Sequence, residues 1–328
     1  MTKETVLSGM RPTGRLHLGN YLGALKNWVS IQDDFDCFYF IADWHALMSD
    51  YESPENINNN CFDMLCVWLA VGIDPDKSII FRQSEISEHL ELFFIFSALT
   101  PLSWLERCPT YKEALQNIKE KDISNYAFLG YPALQAADIA LYKADRVPVG
   151  KDQLPHLEIT REIIRRFNYL YNSSEMVEPK ELLTDIEKLT GTDGRKMSKS
   201  YGNTIYIIEQ SDSLMKKITS MITDPERIRK DDPGHPDICN VYNYHSIFSQ
   251  DESDQIRKCC TNGSIGCVEC KQNLYENIEP ILAPIRDKYN KLKEEKDYVY
   301  GILKLGNEKA RDIASSNLRA FKEAMNFG

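Results

Sequence analysis

The sequence has no stretch long and apolar enough to cross a membrane. Leu92 to Leu105 runs fourteen residues without a charge and is broken by Pro101, whereas a spanning helix needs about 20 mostly apolar residues. Met1 to Arg15 carries charges and a Pro-Thr-Gly turn in place of the apolar core of a signal peptide. Positive charge is not in excess either. Lys and Arg total 39 against 49 Asp and Glu, a net charge of −10. That excludes a generic basic coat for nucleic acid and leaves local positive patches open. No internal repeat or low-complexity tract is present. With 42% apolar and 27% charged residues the composition is that of a globular protein, so collagen-like and disordered classes are excluded. The expectation is a cytoplasmic chain of about two domains. Cysteine, by contrast, is not scarce. Nine in such a chain indicate thiols or metal ligands and argue against a disulfide framework.

The first part alternates short β-rich runs with helical patterns. Strands are expected at Thr5–Ser8, Cys37–Ile41, Ser78–Phe81 and Arg146–Val149, and helices at Leu18–Ile31, Pro54–Val71 and Asp152–Phe167. The near-continuous apolar run at Cys37–Ile41 fits a parallel strand covered on both faces. The predicted class is α/β, a Rossmann-like doubly wound parallel sheet followed by a smaller all-α domain. Thr190–Asn203, rich in Gly, Thr, Ser and Lys, reads as a loop. Beyond it the pattern is helical, at Ser211–Ile222, Asp251–Cys260, Lys271–Glu295 and Asn307–Met325. The composition shift puts the domain boundary near residue 200, giving domains 1–200 and 201–328, with the last helix free to pack back on the first domain.

Two segments carry chemistry. Pro12-Thr13-Gly14-Arg15-Leu16-His17-Leu18-Gly19-Asn20 lies between the first strand and the first helix. In an open α/β sheet ligands bind there, outside the carboxyl end of a strand. Backbone N–H groups of the turn and helix N-terminus favour an anion. His17 and Asn20 share a helical face, and Gly19 leaves room for a flat ring against the backbone. Taken alone, the segment is equally an ordinary strand-turn-helix junction.

The second segment, Lys196-Met197-Ser198-Lys199-Ser200, matches all five positions of the signature loop of class I aminoacyl-tRNA synthetases. Pro12 to Asn20 is then similar to that class's HIGH motif, with Asn20 in place of the last histidine. Two lysines on a loop can close over a triphosphate and neutralise charge developing on pyrophosphate.

Gly150-Lys151-Asp152-Gln153 resembles the Gly-x-Asp-Gln element of the tryptophan and tyrosine enzymes. Tyr131-Pro132-Ala133-Leu134-Gln135-Ala136-Ala137-Asp138-Ile139 and Ala42-Asp43-Trp44-His45-Ala46 are similar to the tryptophanyl-tRNA synthetases of bacterial type. The likeness runs from Leu7 to Met325. It implies that Asp138 accepts the indole N–H, that Tyr131, Gln135 and Gln153 hold the amino group and backbone of tryptophan, and that Leu7 and His45 line the pocket. An indole offers a donor only, which suits an acceptor-only carboxylate. Without the resemblance, a buried carboxylate paired with an arginine or lysine is the plainer reading of Asp138. The resemblance also implies an ATP set of Arg11, Pro12, Thr13, Gly19, Asn20, Gly150, Lys151, Asp152, Leu189 and Lys196 to Ser200. Lys196 and Lys199 stabilise the departing pyrophosphate, Lys112 reaches the phosphates, His17 with Gly19 and Asn20 organises ATP, and Mg²⁺ accompanies ATP. Arg11 stands where many bacterial members have glutamine.

Five cysteines fall between Cys239 and Cys270. Cys260, Cys267 and Cys270 form a compact set, with Cys239 as a fourth ligand and Cys259 as its substitute. Four thiolates suit zinc or an iron–sulfur cluster, and spacing does not separate the two. The pattern resembles a subset of tryptophanyl-tRNA synthetases with a [4Fe–4S] cluster in the helical, anticodon-recognising domain, although the first interval is two residues shorter here. Cys37, Cys61, Cys66 and Cys108 have apolar neighbours and read as core.

The activity implied is two-step. L-tryptophan and ATP give tryptophanyl-adenylate and pyrophosphate, and tryptophan then passes to the 3′ end of tRNA(Trp). A homodimer is implied, with Asn58–Val71 and Leu92–Leu99 as interface candidates, and Lys216, Lys217, Arg227, Arg229 and Lys230 as a phosphate-binding patch. The rival readings are a tyrosyl enzyme of the same architecture, a non-catalytic RNA-binding protein, and a nucleotidyltransferase for a small cofactor.

Overall fold

The computed structural model describes residues 3–108, 123–150, 153–183 and 189–327. Lys112, Lys151 and Asp152 therefore lie outside the described residues. The strands are β1 (Thr5–Met10), β2 (Asp36–Ile41), β3 (Ser78–Arg82), β4 (Arg146–Val149) and β5 (Lys180–Leu183). The helices are α1 (Leu18–Asn20), α2 (Lys26–Ile31), α3 (Asp43–Asp50), α4 (Glu55–Val71), α5 (Glu88–Leu99), α6 (Leu102–Glu106), α7 (Tyr126–Leu141), α8 (Leu154–Leu170), α9 (Ser211–Thr219), α10 (Asn240–Phe248), α11 (Ser253–Thr261), α12 (Cys267–Glu294) and α13 (Lys296–Ala324). The chain forms two compact units. One comprises residues 1–14, 27–185 and 295–328, the other residues 15–26 and 186–294. None of the four boundaries of this division falls at residue 200.

The first unit is a five-stranded, all-parallel sheet in the order β3-β2-β1-β4-β5. β2 is buried from Cys37 to Ile41, as expected of a strand covered on both faces. The chain winds outward from β1 through β2 to β3 and returns with β4 on the other side of β1. The gap between β1 and β4 is thus the topological switch point, where such sheets bind ligands. β5 was not anticipated. Its residues, Lys180 to Leu183, are half-buried or exposed, and one apolar face at a sheet edge gives too weak a pattern.

α13 belongs to this unit and lies along β3. A Cβ at Gly306 would come within 1.8 Å of the Ile80 carbonyl oxygen, so helix and strand backbones are in direct contact. Beside it the Arg82 N–H donates to Asn307 Oδ1 at 2.8 Å, which satisfies an outer backbone group of the edge strand. The Asn317 amide donates to the Leu141 carbonyl and Lys322 pairs with Glu91. The helix begins at Lys296, eleven residues before the Asn307 expected from the pattern. The apolar stretch of α4 packs into the core, with Cys61 and Met64 to Ala70 buried, while Asn58 and Asn59 are exposed. Cys37, Cys66 and Cys108 are also buried. No helix among the described residues is long and apolar enough to cross a membrane.

The second unit is helical, built from α9 to α12 and the segment that begins at Arg15. Leu18–Ile31, expected as one helix, is a single turn at α1, a π-helical turn at Tyr21–Leu25, and then α2. The short helix α10 was also unforeseen, because its residues read as part of the cysteine pattern.

Candidate active site

A cavity of about 460 Å³ opens in the first unit at the carboxyl ends of β1 and β4. Leu7, Ser8, Gly9 and Arg11 come from β1 and the turn after it, and Val147 to Gly150 from β4 and its end. α7 presents Tyr131, Gln135 and Asp138, which at intervals of four and three share one helical face. Asn125 caps that helix by accepting the Phe128 N–H at 2.8 Å. Leu7, His45, Tyr131, Gln135, Asp138 and Gln153 all line this one cavity, together with Arg11 and Gly150.

Asp138 is buried, and its partners are neither arginine nor lysine. Oδ1 accepts from the Gln83 amide at 2.7 Å and contacts His89 Nδ1 at 2.7 Å, while Oδ2 contacts His45 Nε2 at 2.8 Å. Burial pushes its pKa up, but hydrogen bonds from His45 and His89 outweigh this and hold it below the usual carboxylate range. The result is an ionised acceptor in an apolar setting. Across the cavity, His156 contacts the Tyr131 hydroxyl through Nε2 at 2.5 Å and Gln153 Oε1 through Nδ1 at 2.9 Å. Sequence reasoning missed Gln83, His89 and His156. His156 lies three residues after Gln153, so helical spacing alone would have placed the two together. Gln83 and His89 carry no such signal, because they reach Asp138 only through the fold.

The two signature segments meet in the second unit. The Leu18 N–H donates to the Ile205 carbonyl at 2.9 Å and the Ile207 N–H to the Leu16 carbonyl at 3.0 Å, with His17 bridged to Tyr206. The segment Ile205 to Ile207, shortly after Lys196–Ser200, is thereby paired to the His17 segment. The His17 N–H donates to Asn20 Oδ1 at 3.0 Å, so asparagine in the last position of the motif holds the turn. A Cβ on Gly19 would meet the His17 ring at 3.0 Å. Burial, and then the charge of Lys199, lowers the His17 pKa to about 4, so the imidazole is neutral near pH 7. Its Nδ1 is buried without a hydrogen-bond partner.

Within the Lys196–Ser200 loop, Met197 is buried and both lysines are exposed. The buried Asn203 side chain shapes it, accepting the Ser198 N–H at 2.9 Å and donating to the Lys196 carbonyl at 3.1 Å and to Asp193 at 2.7 Å. Pro12 and Leu189 are buried, and Thr13 turns back to the Arg11 carbonyl at 2.9 Å.

Cys239, Cys260, Cys267 and Cys270 line one small cavity in the second unit with Asp224, Arg227 and Ile265. All four are free thiols. Burial, and then the neighbouring thiols, raises the pKa of Cys270 to about 12 and also raises that of Cys260. Cys239, Cys260 and Cys270 are buried and Cys267 is half-buried, and four clustered thiols are a donor set that a cationic centre would stabilise. Among the described residues no group of three or more His, Cys, Asp or Glu closes to the spacing of a single ion. Two of the expected patch cations are engaged elsewhere. Lys217 pairs with Glu209 at 2.5 Å, and Arg227 donates to the Ile265 and Lys230 carbonyls and to Cys267 Sγ.

Comparison with known proteins bears on this architecture as a whole. The family described as tRNA synthetases class I (W and Y) matches residues 2–283. Tryptophan–tRNA ligase of Thermotoga maritima is 49% identical over 324 residues, 98% of each chain. That of Aquifex aeolicus is 40% identical over 392 aligned positions, covering 98% of this chain and 99% of the other. The tryptophanyl-tRNA synthetase of Campylobacter jejuni, complexed with ADP and tryptophan, superposes with a TM-score of 0.89 at 35% identity, covering 98% of this chain and 100% of that one. The chain belongs to the class I tRNA synthetases of the tryptophan and tyrosine group, and within it to the bacterial tryptophanyl-tRNA synthetases.

Proposed function

We propose that the switch-point cavity holds tryptophan, with Asp138 accepting the indole N–H. In this reading Tyr131, Gln135 and Gln153 hold the ammonium and backbone, and Leu7 and His45 form the walls. The activity is that of a tryptophan–tRNA ligase. One observation carries the assignment of residues: all six expected tryptophan ligands line a single cavity at the carboxyl ends of β1 and β4.

The amino-acid carboxylate attacks the α-phosphate in line. A carboxylate–phosphorus bond forms as the bond to pyrophosphate breaks, and no covalent enzyme intermediate is needed. The enzyme supplies positioning and charge stabilisation. Arg11, Pro12, Thr13, Gly150, Lys151, Asp152 and Leu189 bind ATP, with Mg²⁺ accompanying the phosphates. Gly19 and Asn20 shape the turn that presents neutral His17. Lys196, Lys199 and Lys112 neutralise the departing pyrophosphate, with Met197 anchoring the loop and Ser198 and Ser200 adding contacts. A hydroxyl of the terminal ribose of tRNA(Trp) then attacks the adenylate carbonyl, and AMP leaves. The reaction is assigned to the cytoplasm.

Amino-acid-dependent ATP–pyrophosphate exchange tests the pocket. Exchange with tryptophan and none with tyrosine is expected, and Asp138→Ala lowers kcat/KM for tryptophan by roughly 10⁴ or more. Exchange with tyrosine would overturn the assignment.

Residues 201–328 are proposed to include the anticodon-binding surface, with Cys239, Cys260, Cys267 and Cys270 holding a [4Fe–4S] cluster as a structural staple. The convergence of the four on one cavity supports this reading. Visible charge-transfer absorption and acid-labile sulfide in anaerobically purified protein are the expected result. Colourless protein holding stoichiometric zinc would favour the alternative. A homodimer is proposed through α5, α6 and α7, where Phe94, Leu102 and Tyr126 are exposed. Sedimentation at the monomer mass would refute it.

A further inference from the structure

His156 is buried and belongs to no motif that the sequence displayed, yet it touches two of the proposed tryptophan ligands at once. Its Nε2 lies 2.5 Å from the Tyr131 hydroxyl and its Nδ1 lies 2.9 Å from Gln153 Oε1. A neutral imidazole has one N–H donor and one acceptor nitrogen, and the hydrogen bond made at one nitrogen decides the role of the other. An amide oxygen can only accept, so the proton must be on Nδ1. Nε2 is then the acceptor and receives the Tyr131 O–H. The Tyr131 hydroxyl, which Cys108 Sγ also approaches at 3.8 Å, then gives its hydrogen to the ring and keeps oxygen lone pairs on the cavity side. Gln153 is held by the same ring with its carbonyl oxygen at the same spot.

We propose that His156 is a positioning residue that sets the hydrogen-bond polarity of the amino-acid site. It turns Tyr131 and Gln153 into acceptors and so selects a substrate bearing an α-ammonium group. The inference rests on the reading that Tyr131 and Gln153 hold that ammonium. It extends that reading by naming the group that orients the Tyr131 hydroxyl and the Gln153 amide oxygen. The backbone supports the arrangement. His156 lies in the first turn of α8, where the Thr160 hydroxyl donates to its carbonyl at 3.2 Å, and its ring meets that of Tyr131 edge-on.

The test compares two ligands that share the indole and the carboxylate but differ in the ammonium, tryptophan and indole-3-propionate. Their dissociation constants are measured calorimetrically for the unaltered protein, His156→Phe and His156→Gln. In His156→Phe, tryptophan binding is expected to weaken tenfold or more while indole-3-propionate stays within twofold. His156→Gln keeps one donor and one acceptor and is expected to recover part of the preference. Equal weakening of both ligands in both variants, including loss of all binding, would overturn the proposal by making His156 a packing residue. Unchanged binding of both would also overturn it. Tyr131→Phe and Gln153→Ala test the underlying reading separately. If neither narrows the gap between the ligands, the ammonium is held elsewhere. If both narrow it and the His156 variants do not, only the present inference fails.

Discussion

The Asp138 carboxylate and the His89 imidazole meet at 2.7 Å in a fully buried contact, and the far nitrogen of His89 is 2.9 Å from the Tyr142 hydroxyl. Tyr142, His89 and Asp138 thus form a chain running from the core to the cavity wall. Replacing His89 by leucine keeps the bulk and removes the partner, leaving a buried carboxylate short of one hydrogen bond. Leaving a buried polar group short of a partner costs about 1–3 kcal/mol, measurable by urea denaturation at pH 7. The carboxyl is depressed in the intact protein, so its stabilising contribution is present above the unfolded carboxylate value and is lost as pH falls through the folded one. The deficit of His89→Leu therefore shrinks on acidification. A constant deficit would mean lost packing alone.

Neutral His17 predicts a pH effect of its own. Its folded pKa of about 4 lies below the ordinary 6.5, so the unfolded chain binds the extra proton first. The stability it contributes is complete above about pH 6.5 and is lost as pH falls toward 4. His17→Asn is expected to flatten that part of the stability–pH curve. Proton NMR of the ring in Lys199→Met should show its pKa rising only part of the way to 6.5, because burial is the larger cause. An unmoved resonance would remove Lys199 from the account.

Asn203 ties the signature loop together from beneath. Asn203→Ala releases the Lys196 carbonyl and the Ser198 N–H and is expected to cost about 1–3 kcal/mol. Exchange kcat should fall at least tenfold with the dissociation constant for tryptophan unchanged. The hydrogen bond from Asn203 is also the first cause of the depression of Asp193 to about 2, so that carboxyl should rise in the variant. An unchanged kcat would show that the loop is shaped by other contacts.

Gly306 admits no side chain. Gly306→Ala places a methyl group against the backbone carbonyl of Ile80, which cannot move without shifting β3. A loss of about 1–3 kcal/mol or more is expected by calorimetric or denaturant unfolding. Gly301, with open space at its Cβ position, is the control. There alanine should be neutral or slightly stabilising.

Local pattern made much of the fold legible. Cys37–Ile41 and Ser78–Phe81 read as buried strands because β2 and β3 are apolar on both faces, and the turn from Pro12 to Asn20 announced itself by Gly, Pro and a strand ending in front of it. What stayed hidden depended on distance along the chain. β5 is half-polar, and Gly306 is indistinguishable from any helical glycine until Ile80 is beside it. Within the site, Tyr131, Gln135 and Asp138 were readable as one helical face. His89 was not, since 49 residues separate it from Asp138 and neither neighbourhood hints at the other. Lys217 and Arg227 looked like surface cations. The Glu209 carboxylate lies eight residues before Lys217, and the Ile265 carbonyl that Arg227 reaches is 38 residues away.

The lodging of α13 along β3 also orders events during synthesis. The sheet strands are made first and the 109 residues from Ile186 to Glu294 next, and only then does the helix that covers the β3 edge leave the ribosome. At about 5–20 residues per second the sheet waits on the order of ten seconds with that edge open. For this interval the nascent chain offers unpaired strand groups to any neighbour, and neighbouring copies on one polysome are the nearest candidates. The last helix therefore closes a window of vulnerability as well as completing a core.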